Sequence, residues 1–178
     1  MSFRPTKDRV GNDDPMSDPI TTTEADLADP AHADAVVELL RGYARDPMGM
    51  GADLSEEARG ELVPGLKRHP GAVVLLAYRG TEAVGLAICF LGFSTFLARP
   101  QINVHDFAVE PTCRRRGVGR RLMEHVEAKA RQLDCCRITL EVRQDNHVAQ
   151  GLYRSVGFDG ADDTSDGVPM LFWKKTLA

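Results

Sequence analysis

The chain has 178 residues, 43% of them hydrophobic and 27% charged, which suits one domain with one core. A formal net charge of −4 and a pI near 5.7 argue against a nucleic-acid binder, and no apolar run reaches the length of a membrane span. Four cysteines (Cys89, Cys113, Cys135, Cys136) lack the paired spacing of a zinc site, so no metal is expected; reduced thiols and a cytoplasmic location are.

Residues 1–19 are polar, rich in Asp, Pro and Arg, and free of the apolar stretch of a secretory signal. They are read as a disordered tail, with Met16 as a candidate true start, preceding one domain over 20–178. Ile20 to Thr23 is short and β-branched, a first strand. Asp29-Pro30 is an N-cap followed by proline at the first helical position, and Val36, Val37, Leu40 and Tyr43 recur at helical spacing until Pro47. Ser55, Glu56 and Glu57 open a second helix carrying Ala58 and Leu62, which Pro64 should shorten or kink. Ala72 to Tyr78 and Ala83 to Leu91 are apolar runs flanking the turn Arg79-Gly80-Thr81-Glu82, a core hairpin.

Gln101 to Val109 reads as a further strand. Gly117 to Leu133 is the clearest helix, with Leu122, Val126, Ala130 and Leu133 on one face. Arg137 to Val142 is a strand, Asn146 to Ser155 a short helix ended by Gly157, and Val168 to Trp173 a closing strand. The order β-α-α-β-β-β-α-β-α-β predicts an α/β (α+β) domain, a mixed sheet with helices on both faces.

The informative stretch is Phe107-Ala108-Val109-Glu110-Pro111, then Arg114-Arg115-Arg116-Gly117-Val118-Gly119, then the long helix. Two glycines between strand and helix allow a tight turn with no Cβ in the way. The first amides of the helix have no intrahelical acceptor, and the helix dipole adds about half a positive charge there. Together they make an anion site suited to a pyrophosphate. Arg114, Arg115, Arg116, Arg120 and Arg121 add charge. A dinucleotide-binding fingerprint needs a third glycine, where Leu122 stands, and a P-loop needs Gly-Lys-Ser/Thr. A basic patch, or simply a solvated Arg-rich helix start, explains the arginines alone.

Arg114-x-x-Gly117-x-Gly119 after Val109-Glu110-Pro111 resembles the cofactor motif of the GNAT N-acetyltransferases. Downstream, Asn146-x-x-Ala149-x-x-x-Tyr153-x-x-x-Gly157-Phe158 is similar to the family's second motif. The resemblance runs from about residue 20 to the C-terminus. It implies a mostly antiparallel sheet of six to seven strands and acetyl-CoA as cosubstrate. It implies that Arg114 and the amides of Arg115, Arg116, Gly117, Val118, Gly119 and Arg120 hold the pyrophosphate. The backbone of Phe107 and Val109 would pair with the pantetheine arm, Asn146 would bind the same arm, and Tyr153 would lie near the thioester sulfur. Asn146 is equally explained as a helix N-cap and Tyr153 as core packing beside Phe158.

Acyl transfer to an amine needs a base for the ammonium, a donor for the oxyanion and a proton for the departing thiolate. Tyr153 is the candidate acid and the Val109 amide, by resemblance, the oxyanion donor. Asn103, His105, Asp106 and Glu141 are the polar residues near the middle of the strand, and His105 is selected as base because imidazole titrates near neutrality. An inert, packed histidine is the alternative. Phe93-Ser94-Thr95 with Val104-His105-Asp106-Phe107 is similar to the diamine and polyamine branch, which has Glu in place of His105. The expected acceptor is a small cationic amine contacted by Tyr43, Asp46 and Asp106. Strict alternation puts His105 and Asp106 on opposite faces unless a bulge re-aims one. A protein lysine or N-terminus, or a non-catalytic CoA-binding regulator, are the other readings. A homodimer is the expected assembly.

Overall fold

The computed structural model describes residues 18–159. A five-stranded sheet has the order β1-β2-β3-β4-β5. Its strands are β1 (Ile20–Glu24), β2 (Ala72–Arg79), β3 (Glu82–Ser94), β4 (Arg99–Val109) and β5 (Ile138–Leu140). The first three pairings are antiparallel and β4–β5 is parallel, so the sheet is mixed and mostly antiparallel. Five strands are fewer than the six to seven expected; the closing strand placed at Val168–Trp173 falls outside the described residues, as do residues 1–17 of the tail.

Helices cover both faces. On one face lie α1 (Pro30–Arg45) and α2 (Glu56–Arg68), with Val36, Leu39, Leu40 and Leu66 packed on Val74, Leu76, Leu86, Ile88 and Ala108. On the other lies α3 (Val118–Gln132), whose Val118, Leu122, Met123, Val126 and Ala130 meet Val73, Leu75, Ala77, Ala87, Ile102 and Val104. The residues of β2 alternate between these two cores, which is why its sequence is apolar throughout. α4 (His147–Ser155) contributes Tyr153 and Leu152 to the α3 side. Among the described residues no helix is long and apolar enough to cross a membrane.

Local chemistry sets the helix starts. Asp29 caps α1 by accepting from the Ala31 N–H at 2.9 Å, and Ser55 caps α2 by accepting from the Ala58 N–H at 3.1 Å. Pro64 does not shorten α2: the helix runs 13 residues and continues through it to Arg68. The strand expected over Arg137–Val142 is confined to Ile138–Leu140, its pairing with β4 ending at Leu140 opposite Val104.

The close seat of α3 depends on Gly85 in β3. A Cβ there would lie 2.9 Å from Leu122 Cδ1, 2.9 Å from Val118 Cγ1 and 3.3 Å from Ala77 Cβ. The first turn of α3 therefore rests directly on strand backbone, which fixes the height of the helix N-terminus. Gly85→Val should destabilise by about 1–3 kcal/mol through overpacking. Gly60→Ala, in α2 where an added Cβ meets nothing within 4 Å, should stabilise by about 0.5–1 kcal/mol. Urea denaturation of the two variants checks the opposite signs.

Candidate functional site

The site originates in a defect of β4. Its register with β3 shifts between Ile88, opposite Asp106, and Cys89, opposite Val104, so His105 has no partner and bulges. Ile102 and Val104 belong to the α3-side core, and Phe107 and Val109 pack against the same core. Two residues, not one, separate those pairs. His105 and Asp106 are therefore both turned to the other face. There His105 meets the ring of Phe90 edge-on, 5.4 Å between centroids, and Asp106 lies near Tyr43 of α1. The bulge resolves the alternation problem posed by the sequence and brings both residues to the Tyr43 side.

The same level marks the end of β4–β5 pairing, whose last partners are Val104 and Leu140. Beyond it β4 runs on to Val109 with no strand paired on that side among the described residues. Glu110 N–H donates to Val84 O at 2.9 Å, toward β3. Alternation then turns the N–H and C=O groups of Val109 and Phe107 to the open edge. A cleft of about 1170 Å³ lies along it, lined by Tyr43 and Asp46 of α1's end, by His105 and the end of β4, by Arg115, Gly117 and Gly119, and by Glu141, Arg143, Asn146 and Tyr153.

At one end of the cleft the strand-to-helix loop is twisted into two left-handed residues, Arg115 (φ 61°) and Gly117 (φ 87°). Residues of this hand interleaved with ordinary ones make concave rows of amides that bind anions. Gly117 is the N-cap of α3 without a side-chain cap, and the first helical bond runs from Arg121 N–H to Gly117 O. The amides of Val118, Gly119 and Arg120 thus precede the hydrogen-bonded ladder. A Cβ on Gly117 would meet nothing within 4 Å, so the space above the loop is open, as a bound pyrophosphate requires.

Gly119 has a packing role beside the place its amide takes at the start of α3. A Cβ there would lie 2.8 Å from Leu152 Cδ2, with Phe107 and Val109 next nearest, so this glycine admits α4 against α3. The arginines are also largely committed. Arg114 donates through Nε to Val109 O at 3.1 Å and through Nη2 to Asp46 at 2.5 Å. Arg120 donates to Ser155 Oγ at 3.0 Å, tying α3 to the end of α4, and Arg121 pairs with Glu124 at 3.2 Å. Arg115 lines the cleft.

Asn146 is the N-cap of α4, its Oδ1 accepting from Ala149 N–H at 3.1 Å, and it also lines the cleft. Tyr153 is 8% exposed, packed between Phe107 (6.0 Å between centroids) and Phe158 (5.7 Å), and reaches the cleft wall. Tyr153 is thus at once a packed core residue and part of the cleft wall. Burial, then the nearby Tyr43, pushes its hydroxyl up to about 12. Tyr43 is raised by burial first and then by the charges of Asp106 and Asp46, with Arg143 opposing. Asp106 is half-buried and raised by burial, with His105 opposing. Asp46 is spoken for: its carboxylate holds Arg114 and the Met48 amide, which keep it below the usual range, so it does not stand free for an ammonium. Asn103 is spent on Thr139 across the β4–β5 pair at 3.1 Å.

Arg143 and Asp145 line the cleft and were not singled out from the sequence, their signal being only that they trail the strand parallel to β4, whereas Glu141 beside them stood among the polar base candidates.

Residues 34–158 match the model of the Acetyltransferase (GNAT) family. The chain is 38% identical over 86 residues to the N-alpha-acetyltransferase RimI of Mycobacterium tuberculosis, covering 46% of this chain and 51% of that protein. It is 38% identical over 61 residues to the [ribosomal protein bS18]-alanine N-acetyltransferase of Salmonella typhimurium, covering 34% of this chain and 41% of that one. The chain thus spans about half the length, or less, of these curated relatives. Among solved structures, an integron cassette protein of Vibrio cholerae superposes with a TM-score of 0.71 at 20% identity, covering 89% of this chain and 93% of that one. An aminoglycoside acetyltransferase from an uncultured soil metagenomic sample gives 0.70 at 14% identity, covering 89% and 97%. At those identities the likeness is one of fold.

The three tyrosines of the described residues, Tyr43, Tyr78 and Tyr153, are all raised above 10, with burial the first cause. The folded chain keeps these protons where the unfolded chain loses them. Stability should therefore be unaffected by them below pH 10 and fall as pH rises from 10 toward 12. Urea midpoints at pH 8, 10 and 11 check this, and Tyr153→Phe should lessen the fall.

Proposed function

The chain belongs to the GNAT acetyltransferase family, and from that premise we propose that it transfers an acetyl group from acetyl-CoA to a primary amine at the Tyr43 end of the cleft. The observation that carries this reading is the open edge of β4 at Phe107 and Val109, running into the left-handed loop at the start of α3. Acetyl-CoA supplies an activated acyl carbon and a thiolate leaving group. The edge amides and carbonyls of Phe107 and Val109 hold an extended pantetheine arm as a further strand would be held. The amides of Val118, Gly119 and Arg120, with the Arg115–Gly117 loop, receive the pyrophosphate. Asn146 adds a contact to the arm through its amide nitrogen, since its oxygen caps α4.

Val109 N–H, free of the β3 ladder on the open edge, donates to the carbonyl oxygen as it gains charge, a role the family resemblance supports. Tyr153, neutral up to about pH 12, keeps a proton for the thiolate. His105 receives the proton that the ammonium must lose before its nitrogen attacks, with Glu141, also on the cleft wall, as the other group able to do so.

The acceptor we favour is the α-amine of a polypeptide. The names of the two protein-acting relatives support it. So does acidity: an α-ammonium loses its proton near 8 and an alkyl ammonium near 10.4, so a weak imidazole or carboxylate base serves the first far better. A small cationic amine is the second reading, supported by the net charge of −4 and by Asp106 beside Tyr43. A homodimer remains part of the proposal, supported by the exposed apolar tip of the β3–β4 hairpin at Phe93, Phe96 and Leu97.

The test is thiol release from acetyl-CoA with an alanine-initiated peptide, 1,4-diaminobutane and butylamine. A kcat/KM at least tenfold higher for the peptide supports the α-amine reading. The reverse order, with the diamine above the monoamine, supports the small cation. Acetyl-CoA binding without release to any amine would sink both. In the active assay Tyr153→Phe should lower turnover about 10²–10⁴-fold with little change in acetyl-CoA affinity.

A further inference from the structure

Two loops on the wall of the cleft are joined by an ion pair between residues 68 apart in sequence. Asp46 Oδ2 accepts from Arg114 Nη2 at 2.5 Å, and the Asp46 side chain is only 12% exposed. The other oxygen of that carboxylate accepts from Met48 N–H at 2.8 Å. Asp46 O accepts from Gly49 N–H at 2.8 Å, and Asp46 N–H donates to Tyr43 O at 3.0 Å. The turn then closes on α1 through Met50 N–H and Ala52 N–H, both donating to Ala44 O. Glycine is required at position 49, because a Cβ there would lie 2.1 Å from the backbone oxygen of Tyr43. The turn that brings Met48 to the cleft beside Tyr43 is therefore built on Asp46.

The guanidinium on the other side of the pair is anchored as well. Arg114 Nε donates to Val109 O at 3.1 Å, a carbonyl on the open edge of β4. A planar guanidinium fixes the relative positions of two acceptors at once, which a lysine ammonium would not. One side chain thus spans from the edge of β4 to the turn after α1.

We propose that Asp46 and Arg114 are a positioning pair that transmits occupancy of the β4 edge to the turn at residues 46–52, rather than an acceptor ligand and a phosphate ligand. The inference rests on the reading of the edge as the CoA site. A molecule lying along Val109 and the following loop restricts the guanidinium, and the guanidinium restricts the turn that frames the acceptor. By linkage the effect is reciprocal: an ordered turn strengthens binding at the edge by the same factor. The carboxylate is held ionised by Arg114 and the Met48 amide, so the link persists through the neutral range.

Amide hydrogen exchange with coenzyme A as the probe tests this without any acceptor. In the wild-type chain, coenzyme A should slow exchange at Met48, Gly49, Met50 and Ala52 about fivefold or more, the lower end of ordinary coupling between sites. Asp46→Asn and Arg114→Gln should each abolish that slowing while changing the calorimetric Kd for coenzyme A less than about tenfold. Arg114→Gln leaves the turn's own hydrogen bonds in place, so it decides the matter even where Asp46→Asn loosens the turn. Slowing that survives in both variants, or wild-type slowing that is absent at saturating coenzyme A, would overturn the coupling. A tenfold or greater loss of coenzyme A affinity in Arg114→Gln but not in Asp46→Asn would make Arg114 a phosphate ligand and overturn its positioning role. A wild-type chain that does not bind coenzyme A would instead overturn the proposed function.

Discussion

The whole site follows from β4 and β5 parting after Val104 and Leu140. Up to that level the sheet is continuous and its two faces are ordinary cores. Beyond it, a central strand has one edge without a strand partner among the described residues, a state that sheets normally avoid because unpaired N–H and C=O groups invite pairing. Here the exposed edge is short, flanked by α3 and α4, and ends at a helix N-terminus. The bulge at His105 sits at the start of this opening and turns two polar side chains to the α1 side just as the strand is released. One backbone irregularity therefore supplies the open edge and the side chains that face its acceptor end.

The electrostatics of the donor end come more from backbone than from side chains. Five arginines surround the start of α3 in sequence, yet Arg114, Arg120 and Arg121 make contacts with Asp46, Ser155 and Glu124. What remains in the loop is a set of amides oriented by left-handed residues and by the helix itself, with Arg115 on the cleft wall. Such a site binds an anion without a large local excess of charge, which fits a chain whose net charge is −4.

The fold was legible where a periodic pattern maps directly onto local structure. The apolar runs of β2 and β3, the amphipathic face of α3 and the caps at Asp29, Ser55 and Asn146 all stand where their residues predicted. The open edge was legible only through the two motifs. Partners distant in sequence were not. Nothing local reveals that Asp46 answers Arg114, that Arg120 answers Ser155, or that Gly119 makes room for Leu152. Glycine at position 119 is compatible with a ligand above the loop and with a helix beside it, and only the position of α4 decides between them. β5 was read too long because strand length depends on how far its neighbour stays in register, which its own residues do not record.

The two ends of the cleft differ in how much sequence they need. The donor end is built from strand edge, glycine conformation and a helix start, so a few positions specify it and substitutions elsewhere leave it intact. The acceptor end is assembled from the end of α1, the β4 bulge and the residues after β5, each contributing a side chain at a position free to vary. Tyr43 stands at their junction, near enough to Asp106, Asp46, Arg143 and Tyr153 for each to share its electrostatic environment. A change in any of those segments alters what the cleft accepts while the edge itself, made of backbone, stays in place. On the proposed reading, acceptor selectivity resides in side chains gathered from separate segments, which is why the strand-to-helix loop was readable from the sequence and the acceptor must be argued from geometry.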